Sequence, residues 1–170
     1  IISLVVVVLI TLALLYLFVY KGSSLRPNSI INNHILAFKS NDKYCISGHF
    51  QNNSVLVGPT IKRMPINLKS NQKYFKDDFQ RWTKTENEQL KRKGVNLCLD
   101  IQGGNPVNGA KIVQNPCSDA GSQKWSISNA GQIQSKSNKD LCISVNAIDE
   151  GQEIFLKECK DTPNQIFTLL

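Results

Sequence analysis

The chain has 170 residues, with 20 Lys and Arg against 13 Asp and Glu and a formal net charge of +7. That length excludes two large domains, and a basic balance of this size points to contact with anionic surfaces or to plain solubility. Chemistry-bearing residues are sparse: His34 and His49 lack metal-ligand spacing, Gly103-Gly104 lacks the rest of a phosphate-loop fingerprint, and Asp77-Asp78 reads as a solvated turn. No enzyme, metal or cofactor is expected.

Residues 1–20 are apolar apart from Ser3, Thr11, Tyr16 and Tyr20, and contain no charge, Gly or Pro. As a helix this run would span about 30 Å, the thickness of a bilayer's hydrocarbon core, with the two tyrosines near one end, where amphipathic rings favour the interface. A transmembrane α-helix is therefore expected over residues 1–21, with the lipid bilayer as its partner through residues 1–20. A cleaved signal peptide is the competing reading, but its apolar region is usually shorter, and Tyr20-Lys21-Gly22-Ser23 fits a small-residue cleavage site poorly. The sequence opens on Ile, so residues ahead of the anchor are expected. Residues 22–31, with Ser23, Ser24, Pro27, Asn28 and Ser29, read as a polar stalk.

Over residues 32–170, short apolar runs alternate with turn residues at intervals of about 8–12, a rhythm that predicts an all-β barrel or sandwich. The runs include Ile35-Leu36-Ala37-Phe38, Tyr44-Cys45-Ile46, Val55-Leu56-Val57, Leu97-Cys98-Leu99, Lys111-Ile112-Val113, Trp125-Ser126-Ile127, Gln132-Ile133-Gln134, Leu141-Cys142-Ile143 and Ile154-Phe155-Leu156. Residues 75–93 are read as a helical turn or a long charged loop. An internal repeat with a period of about 40 residues outranks these local readings. One copy runs from Cys98 through Asn108-Gly109 and Cys117 to Gln123-Lys124-Trp125; the next runs from Cys142 through Glu150-Gly151 and Cys159 to Gln165-Ile166-Phe167. A more divergent copy runs from Cys45 to Gln80-Arg81-Trp82. Each copy ends in Gln-x-aromatic: the ring is expected in a shared core, and the glutamine is expected to bond backbone that lacks a ladder partner. The repeats are placed at 32–85, 86–128 and 129–170, and three copies of one β unit predict a closed, pseudo-threefold domain.

The cysteines of the second and third copies fall at matching places, so Cys98–Cys117 and Cys142–Cys159 are the expected disulfides. Each closes a loop of under about 20 residues and contributes about 3 kcal/mol in the chain-entropy picture. Cys45 has no second cysteine in its copy and is expected to keep a buried, reduced thiol, an intermolecular bridge being the alternative. Disulfides put the domain on an oxidising side, extracellular, lumenal or virion-exterior. Lys21 and Arg26 argue the opposite orientation, and the cysteine pairing is given the greater weight. A virus or organelle with its own thiol-oxidation system would loosen that inference, and the abundant Asn, Lys and Ile fit AT-rich coding sequence, as in a membrane-containing large virus or a protist. Asn52-Asn53-Ser54 is a short glycosylation acceptor pattern at Asn52.

Cys98-Leu99-Asp100-Ile101, Asn108-Gly109-x-x-Ile112, Pro116-Cys117 and Gln123-x-Trp125 together resemble one repeat of the ricin B-chain type lectins, the (QxW)3 β-trefoils. Gln80-x-Trp82 and Gln165-x-Phe167 supply the other two ends. The resemblance is strong in the second and third repeats and weak in the first, which lacks its second cysteine and carries extra residues within 58–74. It implies a β-trefoil behind the transmembrane helix, and a shallow sugar pocket in each working repeat. In such a pocket an Asp after the first cysteine accepts bonds from sugar hydroxyls, a ring before the second cysteine stacks on the sugar face, and a polar residue precedes the QxW. The second repeat keeps Asp100, but its ring position holds Asn115 and its polar position Ser122. The third has Ser144 and Lys157, and the first has Ser47 with no evident counterpart for the ring. One candidate carbohydrate pocket therefore remains, around Asp100, Gln102, Asn115 and Gln123, with Asp100 alternatively a turn residue ahead of Gly103-Gly104.

The basic excess is concentrated at Lys62, Arg63, Lys69, Lys73, Lys76, Arg81, Lys84, Lys91, Arg92 and Lys93, a candidate contact for anionic surfaces or otherwise a solvated face; no specific nucleic-acid partner is expected. The functional expectation is a membrane-anchored trefoil that serves as a structural or protein-interaction module with degenerate sugar pockets. The alternative is a weak carbohydrate-binding attachment protein using the pocket near Asp100.

Overall fold

The short apolar runs separated by turn residues are realised as twelve antiparallel strands among the residues described by a computed structural model, 33–48, 53–59 and 77–170. The anchor expected over residues 1–21, the stalk over 22–31, Asn52, His49 and the cluster Lys62, Arg63, Lys69, Lys73 and Lys76 lie outside the described residues. Among those described, no helix is long and apolar enough to cross a membrane.

The strands fall into three sets of four. The first set is β1 (His34–Phe38), β2 (Asn41–Gly48), β3 (Val55–Pro59) and β4 (Arg81–Lys84). The second is β5 (Leu90–Arg92), β6 (Leu97–Ile101), β7 (Ile112–Pro116) and β8 (Trp125–Ile127). The third is β9 (Ile133–Ser135), β10 (Leu141–Val145), β11 (Ile154–Glu158) and β12 (Phe167–Leu169). The stretch read as a helical turn or a charged loop holds a single turn, α1 (Asp77–Gln80), and then the two strands β4 and β5.

The first and last strands of each set form a closed ring. β4 pairs with β1 and β5, β8 with β9, and β12 with β1. The two remaining seams are narrow: the Gln89–Lys124 bridge with Trp125 N–H donating to the Glu88 carbonyl at 2.9 Å, and Phe167 N–H donating to the Gly131 carbonyl at 3.0 Å. The inner strands form three hairpins, β2–β3, β6–β7 and β10–β11, each joined to the other two by single bridges at Ser54–Val113, Leu56–Glu153 and Lys111–Phe155. Closing the ring this way leaves few sheet edges to pair with other chains. The fold is the β-trefoil that the repeats predict.

One core fills the ring and hairpins. Trp82, Trp125 and Phe167, the aromatics of the three Gln-x-aromatic ends, are all buried in it beside Leu36, Phe38, Leu90, Leu99 and Ile143. Trp82 Nε1 donates to the Ile46 carbonyl at 3.2 Å, and Trp125 Nε1 donates to the equivalent Leu99 carbonyl at 3.1 Å. In the third set phenylalanine takes the position, and its ring lies 4.8 Å from that of Phe38.

The glutamines hold the turn that feeds each ring into the core. Gln123 Oε1 accepts from Ser118 N–H at 2.9 Å while its Nε2 donates to the Pro116 carbonyl at 3.0 Å, so one amide clasps the backbone on either side of Cys117. Gln165 does the same around Cys159, accepting from Lys160 N–H at 2.7 Å and donating to the Glu158 carbonyl at 2.9 Å. Disulfides Cys98–Cys117 and Cys142–Cys159 are formed, and Cys45 is buried outside any disulfide, against Ile35, Ala37 and Leu170.

Two predictions test this frame. Replacing Gln123 by Met keeps the volume but strips partners from Ser118 N–H, the Pro116 carbonyl and Asp100, and is expected to destabilise the domain by about 2–4 kcal/mol in urea unfolding with the disulfides intact. Gly131 has φ +100°, and a Cβ there would stand 2.4 Å from the Phe167 carbonyl oxygen, whereas one at Gly151 (φ +83°) meets nothing within 4 Å. Gly131→Ala should therefore cost well over the ~1–2 kcal/mol expected of Gly151→Ala, and equal costs in the two unfolding curves would refute the tight seam.

Candidate functional site

Register makes the three repeats comparable residue by residue. The first-cysteine position faces Gly58 in the first repeat, Asn115 in the second and Lys157 in the third: Cys45 pairs with Gly58, Cys98 with Asn115 and Cys142 with Lys157. The position two residues on is Ser47, Asp100 and Ser144, paired with Leu56, Val113 and Phe155. The ring position thus has a first-repeat counterpart, Gly58, which the sequence comparison missed because the second cysteine that marks the place is absent.

In the second repeat these residues close on one another. Asp100 is only 7% exposed, and its Oδ2 accepts from Asn115 Nδ2 at 3.0 Å and from Gln123 Nε2 at 3.1 Å. Gln123 is saturated: besides the bonds that clasp Cys117, its Oε1 accepts from Gln89 Nε2 at 3.0 Å. With two acceptor lone pairs and two donor hydrogens all engaged, its amide has nothing left for a ligand. Asn115 lies over the carboxylate where the resemblance calls for a stacking ring. Asp100 Oδ1, in contrast, is buried with no partner, a costly state that a donor hydroxyl would relieve. Gln102 is exposed on the 3₁₀ turn Gln102–Gly104, apart from this cluster's hydrogen bonds. Of the four candidate residues, three meet in one network and Gln102 stands outside it.

The third repeat is built from the same strand positions but is open. A cavity of about 350 Å³ lies between the β10–β11 hairpin and the turn that ends in Gln165, lined by Ser144, Asn146, Lys157, Lys160 and Asn164, with Asn108 reaching in from the second repeat. That volume suits a ligand of monosaccharide size. Asn164 Nδ2 donates to the Val145 and Asn146 carbonyls at 3.1 and 3.2 Å, which fixes the rim. Lys157 Nζ donates to Asn146 Oδ1. Ser144 Oγ has only a 3.5 Å contact to the Val145 carbonyl, so its hydroxyl remains nearly uncommitted. Gln165 is 3% exposed and its Nε2 makes one bond, to the Glu158 carbonyl; the hydrogen whose counterpart in the second repeat goes to Asp100 has no acceptor among the described residues.

Five of the eleven described lysines are paired with carboxylates across the domain, Lys93–Asp78, Lys111–Glu153, Lys124–Asp119, Lys136–Glu88 and, on the cavity wall, Lys160–Glu158. Lys136 holds the Glu88 carboxyl below its ordinary range through a hydrogen bond, and Lys124 does the same for Asp119. Lys157 has no carboxylate partner among the described residues. The sequence passed over this cavity because the resemblance weighs Asp and aromatic residues, and Ser144 and Lys157 are neither. Among the described residues no three His, Cys, Asp or Glu side chains gather to hold a metal ion.

Comparison with known proteins bears on this fold directly. The Abrus precatorius agglutinin superposes with a TM-score of 0.64 at 21% identity over 84% of this chain and 48% of its own. The C-half of the earthworm R-type lectin, solved in complex with GalNAc, gives 0.59 at 16% identity over 80% of this chain and 95% of its own. The Macrolepiota procera ricin B-like lectin, solved in complex with lactose, gives 0.61 at 15% identity over 83% and 96%. At these identities the likeness establishes the fold alone. No curated protein sequence matches the chain. The ricin-type β-trefoil lectin domain matches residues 86–170, the second and third repeats and half of the sequence. The chain belongs to the ricin-type β-trefoil lectin domain family.

Proposed function

We propose that this chain is a weak carbohydrate-recognition module whose working pocket is that of the third repeat, displayed from a membrane by the apolar segment of residues 1–20. The observation that carries the reading is the contrast between homologous positions. The third repeat holds an open polar cavity of about 350 Å³ with an uncommitted hydroxyl and amide hydrogen, while the second-repeat residues bond to one another. Structural neighbours bound to lactose and GalNAc support the class of ligand. With no ring at Gly58, Asn115 or Lys157, stacking is lost, and affinity for one sugar is expected near millimolar. A bilayer crowded with copies would restore useful binding through multivalency. In this reading the trefoil lies on the extracellular, lumenal or virion-exterior side, has no catalytic role, and keeps its disulfides oxidised.

A second reading, a protein-interaction platform without sugar binding, is favoured by the same absence of a stacking ring in all three repeats. The two separate on a glycan array probed with the full chain at high density in liposomes. Glycan binding that falls about tenfold or more in Asn164→Ala supports the third-repeat pocket. Binding that falls instead in Asp100→Asn assigns the sugar to the second repeat and its unpartnered Oδ1. Absence of glycan binding by folded, clustered protein leaves the interaction platform.

A further inference from the structure

The second and third repeats differ in where a negative charge sits. In the second, two donors converge on a built-in carboxylate: Gln123 Nε2 and Asn115 Nδ2 both reach Asp100 Oδ2. In the third the same donor positions are kept, Gln165 for Gln123 and Lys157 for Asn115, and one of them now carries a full positive charge. The carboxylate between them has become Ser144, a shorter and neutral side chain, and the space it gives up is part of the open cavity. Two donors, one buried and one cationic, therefore face a cavity from which the chain has removed its own anion. We infer that the third-repeat pocket binds a saccharide bearing an anionic group, a carboxylate or a sulfate, which takes the place that Asp100 fills in the second repeat.

Other groups on the cavity wall fit that ligand. Glu158 is the one acidic residue on the wall, and Lys160 pairs with it at 3.5 Å on the solvent side, both about two-thirds exposed. Lys157 is thus left as the uncompensated charge, partly shielded from solvent, where an ion pair is screened less than at an open surface. Ser144 Oγ can donate to the anion as readily as accept from a hydroxyl. Asn146 and Asn108 supply amide groups for sugar hydroxyls beyond the charged end.

The inference rests on the carbohydrate reading above, and the test separates the two. Matched methyl glycosides of galactose and glucose, each in neutral, 6-sulfated and uronate forms, would be titrated into the full chain, with inorganic sulfate alone as a further probe. The acidic sugars are expected to bind at least tenfold more tightly than their neutral partners. Lys157→Gln should bring that ratio close to one; Ser144→Asp, which restores the carboxylate found in the second repeat, should invert it. Asp100 stands at the equivalent position of β6, and Lys157 sits on a half-exposed strand position, so both variants are expected to fold. Because each change is a single substitution in the pocket, a preference due to diffuse attraction by the basic residues between 60 and 76 would survive both and overturn the inference. Equal binding of neutral and acidic sugars, lost in Asn164→Ala, also overturns it while leaving the carbohydrate reading intact. Binding of no sugar at all refutes both, and inorganic sulfate binding as tightly as the sulfated sugars refutes the saccharide.

Discussion

The glutamine amide that clasps the backbone around the second cysteine is the constraint on which the rest of this structure depends. In the second and third repeats the chain leaves a hairpin, makes a 3₁₀ turn and then drives a large ring into the core. Between hairpin and ring its backbone groups have no ladder partners, and leaving them unpaired next to the core would cost more than the turn gains. Gln123 and Gln165 supply both a donor and an acceptor at one place, and each spans the residues flanking a disulfide. The disulfide and the amide thus act on the same few residues, one limiting the unfolded chain and the other satisfying the folded one.

From that clasp the geometry of the pockets follows. Each clasped turn lies beside the hairpin of its own repeat: in the second, Asn115 and Gln123 meet at Asp100, and in the third Lys157, Ser144 and Gln165 line one cavity. The fold fixes those positions and leaves their side chains open to change. The second repeat has used them for an internal network of Asp100, Asn115 and Gln123, and Gln89 extends it to the seam between β5 and β8. The third has used them for an open, cationic cavity. Identical scaffolding with opposite electrostatics at the same register separates what folding requires from what the pocket positions are free to vary.

Much of the scaffold was legible in the sequence because it repeats. The phase of Cys98, Cys117 and Trp125 against Cys142, Cys159 and Phe167 predicted the pairing of both disulfides and the burial of all three aromatics. Strands β4 and β5 were hidden by charge. Arg92 looks like part of a solvated run, yet it is 5% exposed, with its guanidinium over the Phe79 ring at 5.0 Å and its Nη1 donating to Gln114 Oε1 at 2.8 Å. Burial lowers its pKa, but a guanidinium starts so high that it stays charged, and the aromatic face and amide serve in place of water. The candidate site was legible only in part. The resemblance grouped Asp100, Gln102, Asn115 and Gln123, and all but Gln102 gather, but whether they face a ligand or one another depends on hydrogen-bond saturation, which spacing does not encode. The third-repeat cavity was invisible for the complementary reason: it is defined by a side chain that has become smaller.

The charge of the chain sharpens what that cavity means. All 13 Asp and Glu of the sequence lie among the described residues, together with an equal number of Lys and Arg. The whole excess comes from Lys21, Arg26, Lys62, Arg63, Lys69, Lys73 and Lys76, outside the trefoil residues described here. The described residues carry no net charge, so a preference for anions that arises among them must come from particular groups held at short range, distinct from any diffuse attraction by the basic residues between 60 and 76. Five of the eleven lysines among the described residues pair with carboxylates, Lys160 on the cavity wall among them, and Lys157 lines the cavity without such a partner. Lys157 occupies the register position where a ring would bind any sugar face by stacking. In the proposed reading charge replaces stacking and narrows the range of sugars to one class, and that exchange requires the neighbouring carboxylate to be absent, as it is at Ser144.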